Sequence, residues 1–260
     1  MILCRFRKGE GSAYGIVEDD TVIELQGTPF GEHKRTTIKH PLSAITLMVP
    51  VIPPTFYAGG VNYERHVIEG SKKYGMEPKL PTAVNIGYRA NNALIAHEEP
   101  IVKPKDCGPL FQYEGELVAV IGKKARHLSR EEALSCILGW TIGNDVSSRE
   151  WQFKDPSFLR SKNSDTFKPM GPWIVTGLDP KDMLTSIRLN GRTVDSFETG
   201  NMLFDVAHHI VEITKYCTLY PGDVIWFGTD GVPENMKPGD TVEVEITGIG
   251  TLRNPVVAES

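Results

Sequence analysis

The stretch Tyr113-Glu114-Gly115-Glu116-Leu117-Val118-Ala119-Val120-Ile121 constrains this chain more than any other. Side chains alternate along a strand, so Glu114, Glu116, Val118 and Val120 share one face, and Leu117, Ala119 and Ile121 share the other. A strand apolar on both faces belongs inside a sheet that is covered on both sides. The two carboxylates at its mouth then stand against dry protein, where an unpaired charge is costly, and they need a cation. Asp145 ends a second such run, Gly139-Trp-Thr-Ile-Gly-Asn-Asp145, and has the same need. Three carboxylates with no His or Cys partner suit a hard, oxygen-loving ion, Mg²⁺ ahead of Ca²⁺ or Mn²⁺. The competing reading puts Glu114 and Glu116 on a solvated face and Asp145 at a turn. For an isolated Glu-x-Glu that is the commoner case, because exposed carboxylates are the rule.

The rest of the chain reads as strands and turns. Ile2–Phe6, Ala13–Val17 and Thr21–Leu25 are predicted strands, with turns at Gly9-Glu-Gly-Ser and Glu18-Asp-Asp. The segment 27–40 is polar and reads as irregular. Pro50-Val-Ile-Pro-Pro54 reads as a stiff connection, since proline fixes φ. This divides the chain into a small N-terminal β domain, residues 1–50, and a larger domain, 51–260. Past Thr55 strands dominate, with Gly, Pro and Asp at the bends, which gives a mainly β (α+β) fold with few helices. Helices are predicted over 66–74 after an Asn62 cap, over 130–137 behind a Ser129–Glu132 capping box, and over 202–216. The turns Pro221-Gly-Asp223 and Pro238-Gly-Asp240 suggest neighbouring hairpins. In the stretch 241–246, Val242, Val244 and Ile246 should face in and Glu243 and Glu245 out.

Composition narrows the function. A net charge of −5, from 28 basic and 33 acidic residues, supplies no basic stripe and no reason to invoke nucleic acid. No apolar run is long enough to span a bilayer, and the N-terminus lacks a signal-peptide core, so no membrane partner is expected. Cys4, Cys107, Cys136 and Cys217 are far apart, with no C-x-x-C pair, and read as reduced packing residues of a cytoplasmic protein. His66 and Glu69 stand three apart on a predicted helix, hence on one face. A carboxylate beside an imidazole makes a general base; a surface i,i+3 pair is the alternative.

An ordered set of short motifs surrounds these residues: Tyr57-Ala-Gly-Gly-Val-Asn62-Tyr63-Glu-Arg-His66-Val-Ile-Glu69, Tyr113-Glu-Gly-Glu-Leu, Gly143-Asn-Asp-Val-Ser-Ser-Arg149-Glu-Trp-Gln152, Ser161-Lys162-Asn-Ser-Asp165-Thr-Phe, Gly171-Pro-Trp, Pro221-Gly-Asp-Val-Ile225, Gly228-Thr229 and Gly248-Ile-Gly-Thr-Leu-Arg-Asn254. From about residue 55 to the C-terminus the order and spacing resemble the fumarylacetoacetate hydrolase family. The resemblance implies a mixed β-sandwich or β-roll, a metal held by Glu114, Glu116 and Asp145, and a homodimer formed through the large domain. It implies that His66 and Glu69 form a dyad that activates water or relays a proton, on a segment (69–79) that closes over substrate. It further implies that Arg149 and Gln152 reach substrate oxygens, that Lys162 stabilises an enolate or leaving carbanion, and that Asp165 orients Lys162 or a metal-bound water. Thr229 would hydrogen-bond a substrate carboxylate. Lys154 and Lys168 are placed on the surface. Three positions depart from the family pattern. Ser161 replaces a glycine, Ser164 replaces a large apolar residue, and Arg89 stands roughly where a lysine is usual.

The implied substrate is a small 2-oxo acid or diketo acid, whose carboxylate and keto oxygens chelate Mg²⁺ while the metal stabilises an enolate. That electron sink serves hydrolytic C–C cleavage of an acylpyruvate, isomerisation and decarboxylation alike. The expectation is hydrolysis, with an isomerase or decarboxylase of unsaturated 2-oxo dicarboxylates as the alternative.

Overall fold

The computed structural model describes residues 1–260. The strand Gly115–Ile121 lies inside an eleven-stranded sheet, antiparallel to Ile137–Asn144 on one side and to Val224–Trp226 on the other. Every one of its seven residues is buried. Its two faces feed two separate cores. Leu117, Ala119 and Ile121 pack with Val244, Ile246 and Leu252 of a second, five-stranded sheet and with Ile210 and Ile213 of a helix. Val118 and Val120 pack with Phe56, Trp226, Met170 and Val51. Burying a side chain of this kind stabilises by about 1.5–3 kcal/mol, so this strand anchors both layers.

The N-terminal strands Ile2–Lys8, Gly11–Glu18 and Thr21–Gly27 form an antiparallel meander. It continues the main sheet, because Ile2–Lys8 pairs with Lys168–Val175. The segment expected to be irregular contains a fourth strand, His33–Pro41. It lacks apolar alternation because it is the sheet edge and is wet on both faces, so backbone pairing alone defines it.

Four α-helices are present: α1 Glu64–Lys73, α2 Arg149–Gln152, α3 Leu159–Asn163 and α4 Val206–Tyr216. Asn62 does not cap α1. Its side chain is buried, accepting from Phe204 N and donating to the carbonyls of Phe204 and Phe227. The start of α1 is served from a distance, by the Asp230 carboxylate accepting the His66 N–H at 3.2 Å. Asp205 caps α4 through the His208 N–H. The Ser129–Glu132 box forms both of its hydrogen bonds, yet only a short 3₁₀ turn, Ala133–Cys136, follows it. The two Pro-Gly-Asp turns do not build adjacent hairpins. The first leads into Val224–Trp226 of the large sheet and the second into Thr241–Ile246 of the small one. In that last strand Val242, Val244 and Ile246 are buried, and Glu243 and Glu245 pair with Arg188. No helix is long and apolar enough to cross a membrane.

Candidate active site

Strand register assembles the carboxylates. Glu116 sits opposite Gly143 and Gly115 opposite Asn144. Asp145 then follows directly, its N–H donating to the Glu114 carbonyl at 2.8 Å. Residues thirty apart in sequence thereby meet: one ligand atom each from Glu114, Glu116 and Asp145 lies within 4.8 Å of the others, and all three residues are buried. Gly143 is required here, since a Cβ would meet the Trp226 ring at 2.5 Å.

Four cations converge on this trio. The Arg149 guanidinium is fixed at three points, donating to Gln112 and Gln152 at 2.8 Å each and to Glu114 at 2.5 Å. Lys162 Nζ bridges Glu114 and Asp145. Arg89 forks onto Asp145 at 2.9 and 3.2 Å. Lys168 Nζ reaches Asp145 at 2.6 Å and donates to the carbonyls of Val146 and Phe167. The consequences differ for each acid. Burial pushes Glu114 up, but Arg149 and Lys162 outweigh it and hold the carboxyl at about 2. Burial acts on Asp145 too, and Arg89, Lys162 and Lys168 overcome it, leaving the group well below the usual range. Glu116 accepts only the Gly228 N–H, at 2.8 Å. Burial, with Asp145 and Glu114 close by, raises it to about 8. A trio offering oxygen donors alone, one of them without a cationic partner, fits a hard divalent cation.

His66 faces the same space from α1. Its Nδ1 lies 2.6 Å from the Gly231 carbonyl and its Nε2 3.9 Å from Glu114. A carbonyl can only accept, so Nδ1 carries the proton and Nε2 presents a lone pair inward. Burial lowers the His66 pKa against the opposing pull of Glu114, which keeps the ring neutral. Gln152 and Thr229 line the space as well, as do Asn62, Asn85 and Phe158.

Three expectations need correction. The His66–Glu69 dyad is not formed: Glu69 is exposed and His66 is oriented by Gly231. Asp165 is exposed, accepts from Asn92 at 2.7 Å and does not line the site. Lys168 is not a surface residue but fully buried beneath Asp145, and burial pushes its ammonium down to about 7. Its signal was a lysine inside the apolar run Phe167–Val175, which can be buried only with a carboxylate to meet it. Lys154 is exposed. Arg89, the unusual residue of the pattern, is drawn into the cluster because Asp145 needs its charge.

Residues 55–257 match the family described as fumarylacetoacetate (FAA) hydrolase, C-terminal. The chain belongs to the fumarylacetoacetate hydrolase family. Residues 1–50 match a family described as Rv2993c-like, N-terminal. Protein Rv2993c of Mycobacterium tuberculosis is 35% identical, with 99% of this chain and 98% of that protein covered. Mitochondrial oxaloacetate tautomerase FAHD2A of Homo sapiens is 34% identical, with 84% and 71% covered. The crystal structure of 5-carboxymethyl-2-hydroxymuconate delta-isomerase from Mycobacterium smegmatis matches with a TM-score of 0.90 at 37% identity, over 100% of both chains. The family is one of enzymes, and its fold is the two-layered β architecture described above.

Proposed function

We propose that this family member is a divalent-cation-dependent enzyme that moves a proton between the enol and keto forms of a 2-oxo acid. The observation that carries this reading is the grouping of Glu114, Glu116 and Asp145 with one neutral imidazole facing them. The trio would hold Mg²⁺, or Mn²⁺ or Ca²⁺ in its place, and such an ion polarises a carbonyl and stabilises enolate charge. The remaining work falls to the chain's own side chains. Arg149, held rigid by Gln112 and Gln152, offers a preorganised positive charge, and Gln152 and Thr229 supply polar contacts to substrate oxygens. His66 Nε2 takes a proton from the carbon next to the keto group and delivers it to the enolate oxygen, and the reverse transfer restores the keto form. Proton exchange of this kind needs no second base, which agrees with the exposed position of Glu69. The isomerase and tautomerase names of similar proteins point the same way.

Hydrolytic C–C cleavage of an acylpyruvate is the second reading. Lys162 favours it, because its ammonium stands between Glu114 and Asp145 and would protonate a departing carbanion. A screen of 2-oxo and diketo acids with and without Mg²⁺, with products identified by mass, separates isomerisation, cleavage and loss of CO₂. His66→Ala should lower kcat by about 10²–10⁴-fold with Mg²⁺ affinity retained, and a loss below about tenfold would make His66 structural. We also infer a homodimer, which sedimentation at micromolar concentration would check.

A further inference from the structure

We infer that the substrate carries a bulky apolar tail on its 2-oxo acid head, received by a second chamber beside the carboxylates; this rests on the 2-oxo acid reading above. The space around Glu114, Glu116 and Asp145 is small, ≈ 130 Å³, and only two of its 16 lining residues, Val61 and Phe158, are hydrophobic. It opens into a larger space of ≈ 470 Å³, and His66, Arg149, Gln152 and Phe158 line both. A molecule with its head at the carboxylates can therefore extend past His66 and Phe158 into that adjoining space.

The outer wall differs in kind. Val67 of α1, Tyr74, Phe153, Val232 and Pro233 line it, drawn from three separate segments of the chain. The Tyr74 and Phe153 rings meet edge to face, 5.3 Å apart at 75°. Phe153 remains 57% exposed, and among the Phe, Tyr and Trp side chains only Tyr88, Tyr216 and Tyr220 are exposed with it. An apolar wall that adjoins a polar site is the usual construction of a ligand pocket.

The chamber is poorly made for a tail that ends in a carboxylate. Arg149, the buried cation at its inner end, has its guanidinium nitrogens committed to Gln112, Gln152 and Glu114. Lys73 donates to the Pro233 carbonyl at 3.1 Å. Lys79 is exposed at the rim with Glu77 two residues away, and a solvated ammonium in that setting adds little affinity. An aryl or branched alkyl tail displaces water from the wall and asks for no counter-charge.

Three acylpyruvates that share one head and differ in the acyl substituent, methyl, phenyl or 2-carboxyethyl, test this with the Mg²⁺-loaded full chain. The expected result is a kcat/KM for the phenyl compound at least about tenfold above both others, the scale on which apolar pockets discriminate. In Phe153→Ser the phenyl-to-methyl ratio should fall at least about fivefold, and in Phe153→Lys the carboxyethyl compound should gain on the phenyl one. Phe153 is exposed, so both variants should fold, and circular dichroism would confirm it. A carboxyethyl compound equal to or better than the phenyl compound, or a phenyl-to-methyl ratio unmoved in Phe153→Ser, would overturn the tail assignment and leave the head reading intact. Absence of turnover and of Mg²⁺-dependent binding for all three, methyl included, would overturn the head reading and this inference with it.

Discussion

In the N-terminal meander, Glu24 is buried beside Lys8 and His40, both of which reach it from solvent. In the candidate site, Glu114 and Asp145 are buried beside cations that are buried too. The side chain of Glu24 is 9% exposed and that of Lys8 52%, whereas Lys168 is at 0% over an Asp145 at 2%. The Lys8 hydrogen bond holds the Glu24 carboxyl below its usual range, and the group can still exchange its partners for water. The site cannot. Each of its charges was desolvated on folding, so each depends on its neighbours, and Glu116 is left as the one acid without a cation. The meander shows what a sheet does with an acid it merely has to solvate. The site shows acids retained despite the cost, which is the mark of a functional centre.

The largest effect should come from breaking the exception. Glu116→Gln removes the carboxylate an ion would need, with little change of shape. Calorimetry should find Mg²⁺ binding abolished and activity lost, while the melting temperature of the metal-free protein near pH 7 stays level, because Glu116, raised to about 8, is already mostly protonated there. Unchanged Mg²⁺ affinity would mean that the cation site lies elsewhere.

Next in size is Lys168→Met, which takes one partner from a buried pair and strands the Val146 carbonyl, while the Phe167 carbonyl keeps the Val146 N–H at 3.1 Å. Removing half of such a pair costs about 3–5 kcal/mol. Arg89 and Lys162 still face Asp145, so a loss near 3 kcal/mol is expected in urea unfolding. A loss below about 1 kcal/mol would place the ammonium in contact with water.

A buried titratable group with no ion pair sharpens the contrast from the other side. His209 of α4 lies edge-on to Phe227, with Nδ1 against the Asp205 carbonyl. Burial lowers its pKa from 6.5 to about 4. Between those values the unfolded chain binds the proton and the folded chain does not, so this contribution is complete above pH 6.5 and is lost as the pH falls towards 4. The loss amounts to about 3 kcal/mol. Relative to His209→Gln, the native protein should lose stability over that window; parallel curves for the two would show that His209 titrates as it does in the unfolded chain.

The smallest effect should be that of Glu24→Gln. Its partners are solvated, and the amide keeps one hydrogen bond, so a change of about 1 kcal/mol or less is expected in thermal unfolding. A cost as large as that of Lys168→Met would erase the distinction between the two regions.

Much of this site was legible in the chain. The double-faced apolar strand 115–121 dictated a central position, and the same alternation put Glu114 and Glu116 on one face. Arg149 and Gln152, three apart, do meet. What misled was local pairing. His66 and Glu69 share a helix face by spacing, yet Glu69 meets solvent while His66 bonds a carbonyl 165 residues away. Asp165 neighbours Lys162 in sequence, but its side chain turns to Asn92 at the surface.

The sequence by itself determined which strand is central, which residues alternate inward, and that its carboxylates require cations, because periodicity and the cost of burying charge are properties of short segments. Only the tertiary structure decided which cations answer. Lys168 and Arg89 come from other parts of the sheet, and their convergence on Asp145 follows from strand order and register. Those are settled by the packing of the whole molecule, since a buried charge selects whichever partner the fold delivers to it, however far away along the chain.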